Sequence, residues 1–191
     1  MEENKILMLK NLYLICGKSG SGKTYIVDKL NEKYGYAALQ SYTSRPKRCD
    51  YDTDHIYVNI SDYYNDKVNN MIAVDTCFDN NLYWARKEQL PVSDLYVIDK
   101  KGIETLKQAT YINRPLVVIY LDVSNKRRIY NMRLRGDNKS KINKRLINDE
   151  KMFKGIETLA DFIINTDEDN KWVTVKNIID KCEEITAKGE K

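Results

Sequence analysis

The stretch GKSGSGKT, Gly17–Thr24, follows directly on the apolar run Leu12-Tyr13-Leu14-Ile15-Cys16. A turn needs one or two glycines and no fixed lysine, whereas this stretch holds three glycines, two lysines and three hydroxyls. Its spacing is G-x-x-x-x-G-K-T. Gly17, Gly20 and Gly22 let backbone N–H groups converge on phosphate oxygens, with Ser19 and Ser21 between them; Lys23 reaches the outer phosphates, and Thr24 presents a hydroxyl to magnesium. The context is the one such a cradle requires. A strand precedes it, and behind it YIVDKLNEKYG carries Ile26, Leu30 and Tyr34 at helical spacing. The stretch therefore predicts strand, phosphate loop and helix in that order, with a nucleoside triphosphate and Mg2+ as the implied ligands; kinases, GTPases, ATPases and scaffolds share this motif.

The rest of the composition narrows the class. At 191 residues and 42% hydrophobic content, the chain can bury one good core and reads as a single domain with insertions. No apolar run approaches the ~18 residues of a membrane helix, and MEENKILMLKN is charged on both sides of a short apolar centre, unlike a secretory signal. A cytoplasmic protein with no membrane partner is expected. Cys16, Cys49, Cys77 and Cys182 are far apart, and one histidine stands beside them, so reduced thiols are expected and a zinc site is not. The net charge of +4 is unevenly spread: Lys126 to Lys154 holds eleven Lys or Arg against the three acids Asp137, Asp149 and Glu150. Such a stretch serves as a solvated helix face, a nucleic-acid footprint or a flap over phosphates.

Strand signals fall at 12–16, 36–39, 95–99, 115–123 and 161–165, with helical signals between them. Continuous apolar strands alternating with helices predict an α/β fold with a parallel sheet covered on both faces. Between Tyr42 and Leu90 the pattern changes to short alternating pieces, HIYVNI, MIAVDTCF and NNLYWA, which predict a small, partly antiparallel insertion. That insertion opens with SYTSRPKRCDYDTDHIYV. Ser41, Tyr42, Arg45 and Arg48 lie within eight residues, and two arginines three apart suit a second phosphate, because guanidinium forks grip phosphate oxygens in pairs.

After a phosphate loop and one helix, S-x-T-x-R-P-x-R followed by D-H-x-Y-V resembles the monophosphate-binding segment of guanylate kinases. The resemblance continues in order: DNNLYWARKEQL with Tyr83, LYVIDKKGIETLK with Asp99 and Gly102, RLRGDNKSKINKRL with Arg135 and Arg145, and FIINTDEDN with Asn165. It spans about residues 11–185. It implies a three-layer P-loop NTPase fold with a parallel central sheet, a small mixed or antiparallel monophosphate-binding insertion at 41–92, a helical lid at 126–154, and a core made of 11–40, 93–125 and 155–191. It also implies ATP-dependent phosphoryl transfer to a nucleoside monophosphate, GMP or dGMP, by a monomer or homodimer that needs no nucleic acid. Lys23, Arg135 and Arg145 would be catalytic, with Arg133 a second candidate beside Arg135. Gly17, Ser19, Gly20, Ser21, Gly22, Lys23, Thr24 and Asn165 would hold ATP, and Thr24 the metal. Ser41, Arg45, Arg48, His55, Tyr83 and Asp99 would hold the acceptor. His55 and Tyr57 compete for one substrate contact, and His55 reads equally as a core residue.

The sequence departs from the family at the base. Guanylate kinases read guanine with a glutamate nine residues before the tyrosine that matches Tyr83, and that place is Val74; Asp75 is one residue further on and faces the other side of a strand unless a bulge intervenes. Ala85 replaces a serine. A small-molecule kinase on the same scaffold, such as a ribose 1,5-bisphosphate kinase, would also lack the base reader. A non-catalytic guanylate-kinase-like binding module would lose the intact loop and lid arginines, which are present. A nucleic-acid-binding ATPase would interleave more aromatics with the lid charge.

Overall fold

The computed structural model describes residues 10–47, 50 and 52–189. Strand β1, Leu12–Gly17, runs into the phosphate loop, and α1, Lys23–Tyr34, leaves it. Then come β2 (Ala38–Leu39), β3 (Tyr42–Thr43), β4 (Ile56–Tyr57), α2 (Ile60–Val68), β5 (Ile72–Phe78), β6 (Asn81–Arg86), β7 (Leu95–Val97) and α3 (Lys100–Gln108). The chain closes with β8 (Leu116–Asp122), α4 (Asn125–Leu134), α5 (Lys139–Met152), β9 (Phe162–Asn165) and α6 (Lys171–Lys188).

Five strands form a wholly parallel sheet in the order β2-β7-β1-β8-β9. Every residue of β1 is buried, as expected of a central strand covered on both faces. Alternation along it separates two cores. Leu12, Leu14 and Cys16 pack with Tyr96, Ile103, Tyr120 and Phe153 on one face; Tyr13 and Ile15 pack with Ile26, Leu30, Val175 and Ile179 on the other. Helix–sheet–helix layering follows from that period of two, and the expected α/β fold is the one observed.

The second sheet has the order β4-β3-β6-β5 and is mixed: β3 pairs parallel with β4, while β6 pairs antiparallel with both β3 and β5. The alternating pieces of the sequence account for β4, β5 and β6 but not for β3 or α2. In that helix Tyr63 and Asp66, three residues apart, are the buried positions, and the Asn59 N–H donates to the Asp62 carboxylate at 2.9 Å to close its first turn. A helix that buries a tyrosine and an aspartate leaves no apolar stripe to read. Among the described residues, no helix is long and apolar enough to cross a membrane.

Candidate functional site

The phosphate loop lies between the C-terminal end of β1 and the first turn of α1, whose leading N–H groups have no partner inside the helix. Gly20 and Gly22 take positive φ, +79° and +92°. At Gly20 the need is doubled, since a Cβ would stand 2.5 Å from the Arg128 carbonyl oxygen. The loop partly satisfies itself: Ser21 N–H donates to Lys18 O at 3.1 Å, and the Lys23 ammonium donates to Gly17 O at 2.6 Å and Lys18 O at 3.3 Å. Lys23 is half-buried by surface yet closely surrounded, and burial lowers its pKa to about 8, with the Asp149 carboxylate opposing the shift.

Two cavities meet at Lys23. The first, about 220 Å3, lies between the phosphate loop and the second sheet, and its walls include Gly17, Ser19, Ser41, His55, Tyr83 and Asp99. Its walls also include the apolar or aromatic Val74, Tyr96, Ile98, Met152 and Phe153. The second, about 480 Å3, is bordered by Gly20, Gly22, Lys23, Thr24 and Arg135. It also includes Arg127, Tyr130 and Asn131, which were not anticipated from sequence although Arg127 and Tyr130 share the i, i+3 spacing of one helix face. The Arg127 guanidinium lies 5.3 Å from the Tyr130 ring centre, a flat pair on which an aromatic base can stack.

Of the residues expected at the acceptor, Ser41, His55, Tyr83 and Asp99 come together. His55 meets the Tyr83 ring edge-on at 5.2 Å, and of the pair His55 and Tyr57 only His55 borders the cavity. Arg45 sits behind this wall. Its Nη2 donates to Asp52 at 3.0 Å and to the Tyr57 hydroxyl at 2.8 Å, while its buried Nε has no hydrogen-bond partner among the described residues. Arg48 lies outside the described residues. Asp99 caps α3, accepting the Gly102 N–H at 2.8 Å through Oδ1.

The second sheet decides the position of Asp75. Its register slips between Ile72 and Val74, so the bulge precedes Val74; Asp75 stands opposite Trp84 and Thr76 opposite Tyr83. Asp75 borders the cavity, but its carboxylate accepts the Tyr63 hydroxyl of α2 at 2.5 Å. One of its two oxygens is thus engaged, as one oxygen of Asp99 is on Gly102. Thr76, across from Tyr83 and on the cavity wall, is the polar residue that sequence spacing did not single out.

In the lid, Asp137 gathers the cations. It pairs with Arg135 at 2.6 Å, Lys141 at 3.0 Å and Arg145 at 4.0 Å. Burial pushes its carboxyl up, but hydrogen bonds from Arg135 and Lys141 outweigh burial and hold it below its ordinary range. Arg135 borders the second cavity, and Arg145 lies 5.9 Å from the ring centre of Phe78 on the wall of the first. Asn165 ends β9 opposite Asp122 and borders neither cavity.

No protein-family model and no curated protein matches the chain. Among solved structures, the crystal structure of guanylate kinase from Anaplasma phagocytophilum superposes with a TM-score of 0.68 at 17% identity, over 92% of this chain and 88% of that one. With its parallel five-stranded core, mixed second sheet and helical lid, this chain has a guanylate-kinase-like fold.

Proposed function

We propose that the protein transfers the terminal phosphoryl group of ATP to a nucleoside monophosphate, with GMP or dGMP preferred. The observation that carries this reading is that Lys23 borders both cavities. A donor seated against the loop and lid, and an acceptor seated against the second sheet, would meet at one ammonium. Phosphoryl transfer asks mainly for position and for positive charge around the moving group, and little of it is covalent chemistry by the protein. Lys23 and the first-turn amides of α1 would hold the donor's outer phosphates, with Arg127 and Tyr130 flanking its base. Arg135 would neutralise charge from the lid, and Arg145 would approach over Phe78. Ser41, His55 and Tyr83 would orient the monophosphate, backed by Arg45.

Thr24 fits magnesium: a single hydroxyl at the start of a helix, bordering the second cavity, suits an ion that keeps most of its own hydration. When bound, the ion would neutralise charge on the phosphate oxygens. The predominantly apolar lining of the first cavity suits a flat base better than a sugar bisphosphate, whose hydroxyls would find fewer partners there. The deciding experiment is an ADP-release assay over nucleoside and deoxynucleoside monophosphates with ribose 1,5-bisphosphate included. Turnover of the sugar alone, or of nothing, overturns the proposal.

Two expected results arise from this arrangement. Arg45→Ala should raise the acceptor KM, by roughly tenfold at most, because it removes the brace on Asp52 and Tyr57 beside His55 and a monophosphate is held equally in ground and transition states. Arg135→Ala should instead lower kcat, by roughly tenfold for a half-exposed charge. An unchanged acceptor KM in the first variant would make SYTSRPKR only a charged loop. The second result concerns pH. In the free protein Lys23 loses its proton near 8, and a bound polyanion restores it. ATP binding should therefore take up a proton above that pH, weakening by up to about tenfold per unit of further rise. Calorimetric titration at pH 7.5, 8.5 and 9.5 reads it, and equal affinity at all three would refute it.

A further inference from the structure

The buried side chains of the two lid helices include an ion pair. On α4 the inward positions are Arg128 and Met132, and on α5 they are Ile142 and Asp149. Arg128 is 0% and Asp149 3% exposed, and they are joined by a hydrogen-bonded salt bridge from Arg128 Nη2 to Asp149 Oδ2. Removing two charges from water is costly, and apolar residues of similar volume often serve stability as well or better. The pair does more than hold two helices together. It closes around one residue of the phosphate loop, gripping the peptide units on both sides of it. Arg128 Nε donates to Ser19 O at 2.9 Å, while Asp149 accepts the Ser19 N–H at 2.9 Å and the Ser19 hydroxyl at 3.1 Å. Arg128 Nη1 is anchored on Asn125 at 2.7 Å, and Asn131, one turn along α4, donates to Gly20 O at 2.8 Å. Thus Ser19 is gripped at its N–H, its C=O and its hydroxyl, and the next residue at its C=O, all by side chains of the lid.

We propose that Arg128 and Asp149 are positioning residues that fix Ser19 of the phosphate loop, so that the amides following it and Lys23 are already aligned for the donor's phosphates before the donor arrives. This inference rests on the ATP-binding reading given above and goes beyond it by assigning the loop's alignment to the lid. The physical gain is preorganisation. A loop with three glycines loses much backbone freedom when it closes on a ligand, and a loop already held loses less. Neither residue touches the donor in this scheme, so neither is catalytic.

The pair can be removed without leaving a lone buried charge. In Arg128→Met/Asp149→Leu both charges go and the volume remains, so the double variant should fold with a melting temperature near or above that of the parent. Asp149→Asn, nearly isosteric, is the second variant and carries the test if the double variant does not fold. MgATP affinity, measured by calorimetry without acceptor, is the readout that a merely structural pair would not move. We expect at least a tenfold weaker Kd in the folded double variant. An unchanged Kd in a folded variant would reduce the pair to a structural one and overturn the inference. Tighter binding would overturn it too, since Asp149 would then be competing with phosphate. Failure of the parent protein itself to bind MgATP would be a different result, and it would remove the proposed function together with this inference.

Discussion

Lys23→Ala should cost at least ~3 kcal/mol of transition-state stabilisation, roughly 150-fold in kcat/KM, the size found when one preorganised donor is removed from developing charge. The structure makes this a clean substitution. In the free protein the ammonium is held by the carbonyls of Gly17 and Lys18, and the nearby carboxylate, Asp149, is already neutralised by Arg128. Alanine therefore leaves two carbonyls facing cavities that water can enter, and no buried charge without a counter-ion. Stability should change little while turnover collapses. Thermal melting beside steady-state kinetics separates the two effects. A variant that keeps parental kcat/KM would show that the loop binds phosphate without assisting its transfer, and parental activity lost only through unfolding would show that Lys23 is a structural brace.

The fold was legible because its signals are local and strong. An unbroken apolar run at 12–16, a glycine-rich loop and an apolar stripe at Ile26 and Leu30 each follow from residues close in sequence, and β1 and α1 are where those residues put them. The second sheet was legible only as strands. Its helix α2 buries Tyr63 and Asp66 in place of an apolar stripe, and it exists because Asp66 accepts from the Trp84 indole at 2.7 Å and from Arg86 at 2.8 Å. Those partners are eighteen and twenty residues away, beyond the reach of any periodicity.

The same limit governed the site. Residues that border the cavities because of their place next to the loop, such as Ser41 and Asp99, could be named from sequence order. The Arg128–Asp149 clamp could not, since in sequence Asp149 is one of three acids in a basic stretch and Arg128 one of eleven cations. Only packing shows that these two, among many charges of the lid, are the ones turned inward. Asp75 depended on a feature that spacing does not show. A bulge was the condition for turning it toward a ligand; a bulge is present before Val74, and Asp75 borders the first cavity with one carboxylate oxygen on Tyr63.

Asp99→Asn should cost a guanine acceptor about 1 to 2 kcal/mol, roughly five- to thirtyfold in kcat/KM, and a hypoxanthine acceptor less. A free carboxylate would accept the two adjacent donors of guanine, its ring N–H and its amino group, as a bidentate pair. Asp99 is not free in that sense. Its Oδ1 already accepts the Gly102 N–H at 2.8 Å as the cap of α3, so one oxygen remains fully available, and the expected loss is that of one charged hydrogen bond. Asparagine caps helices about as well as aspartate, so α3 and the stability of the protein should survive the change while the negative charge in the cavity disappears. With Val74 offering nothing to the second donor, the parent protein should prefer guanine by a smaller margin than a bidentate reader gives. Asp75 and Thr76, both on the cavity wall, are polar side chains able to add selectivity. Steady-state kcat/KM for GMP, dGMP, IMP and AMP on the parent and on Asp99→Asn measures both expectations at once. Equal efficiency for all four in the parent would mean that this cavity holds a base by shape and apolar contact alone, and an equal loss for all four in the variant would place Asp99 at the phosphates instead of the base.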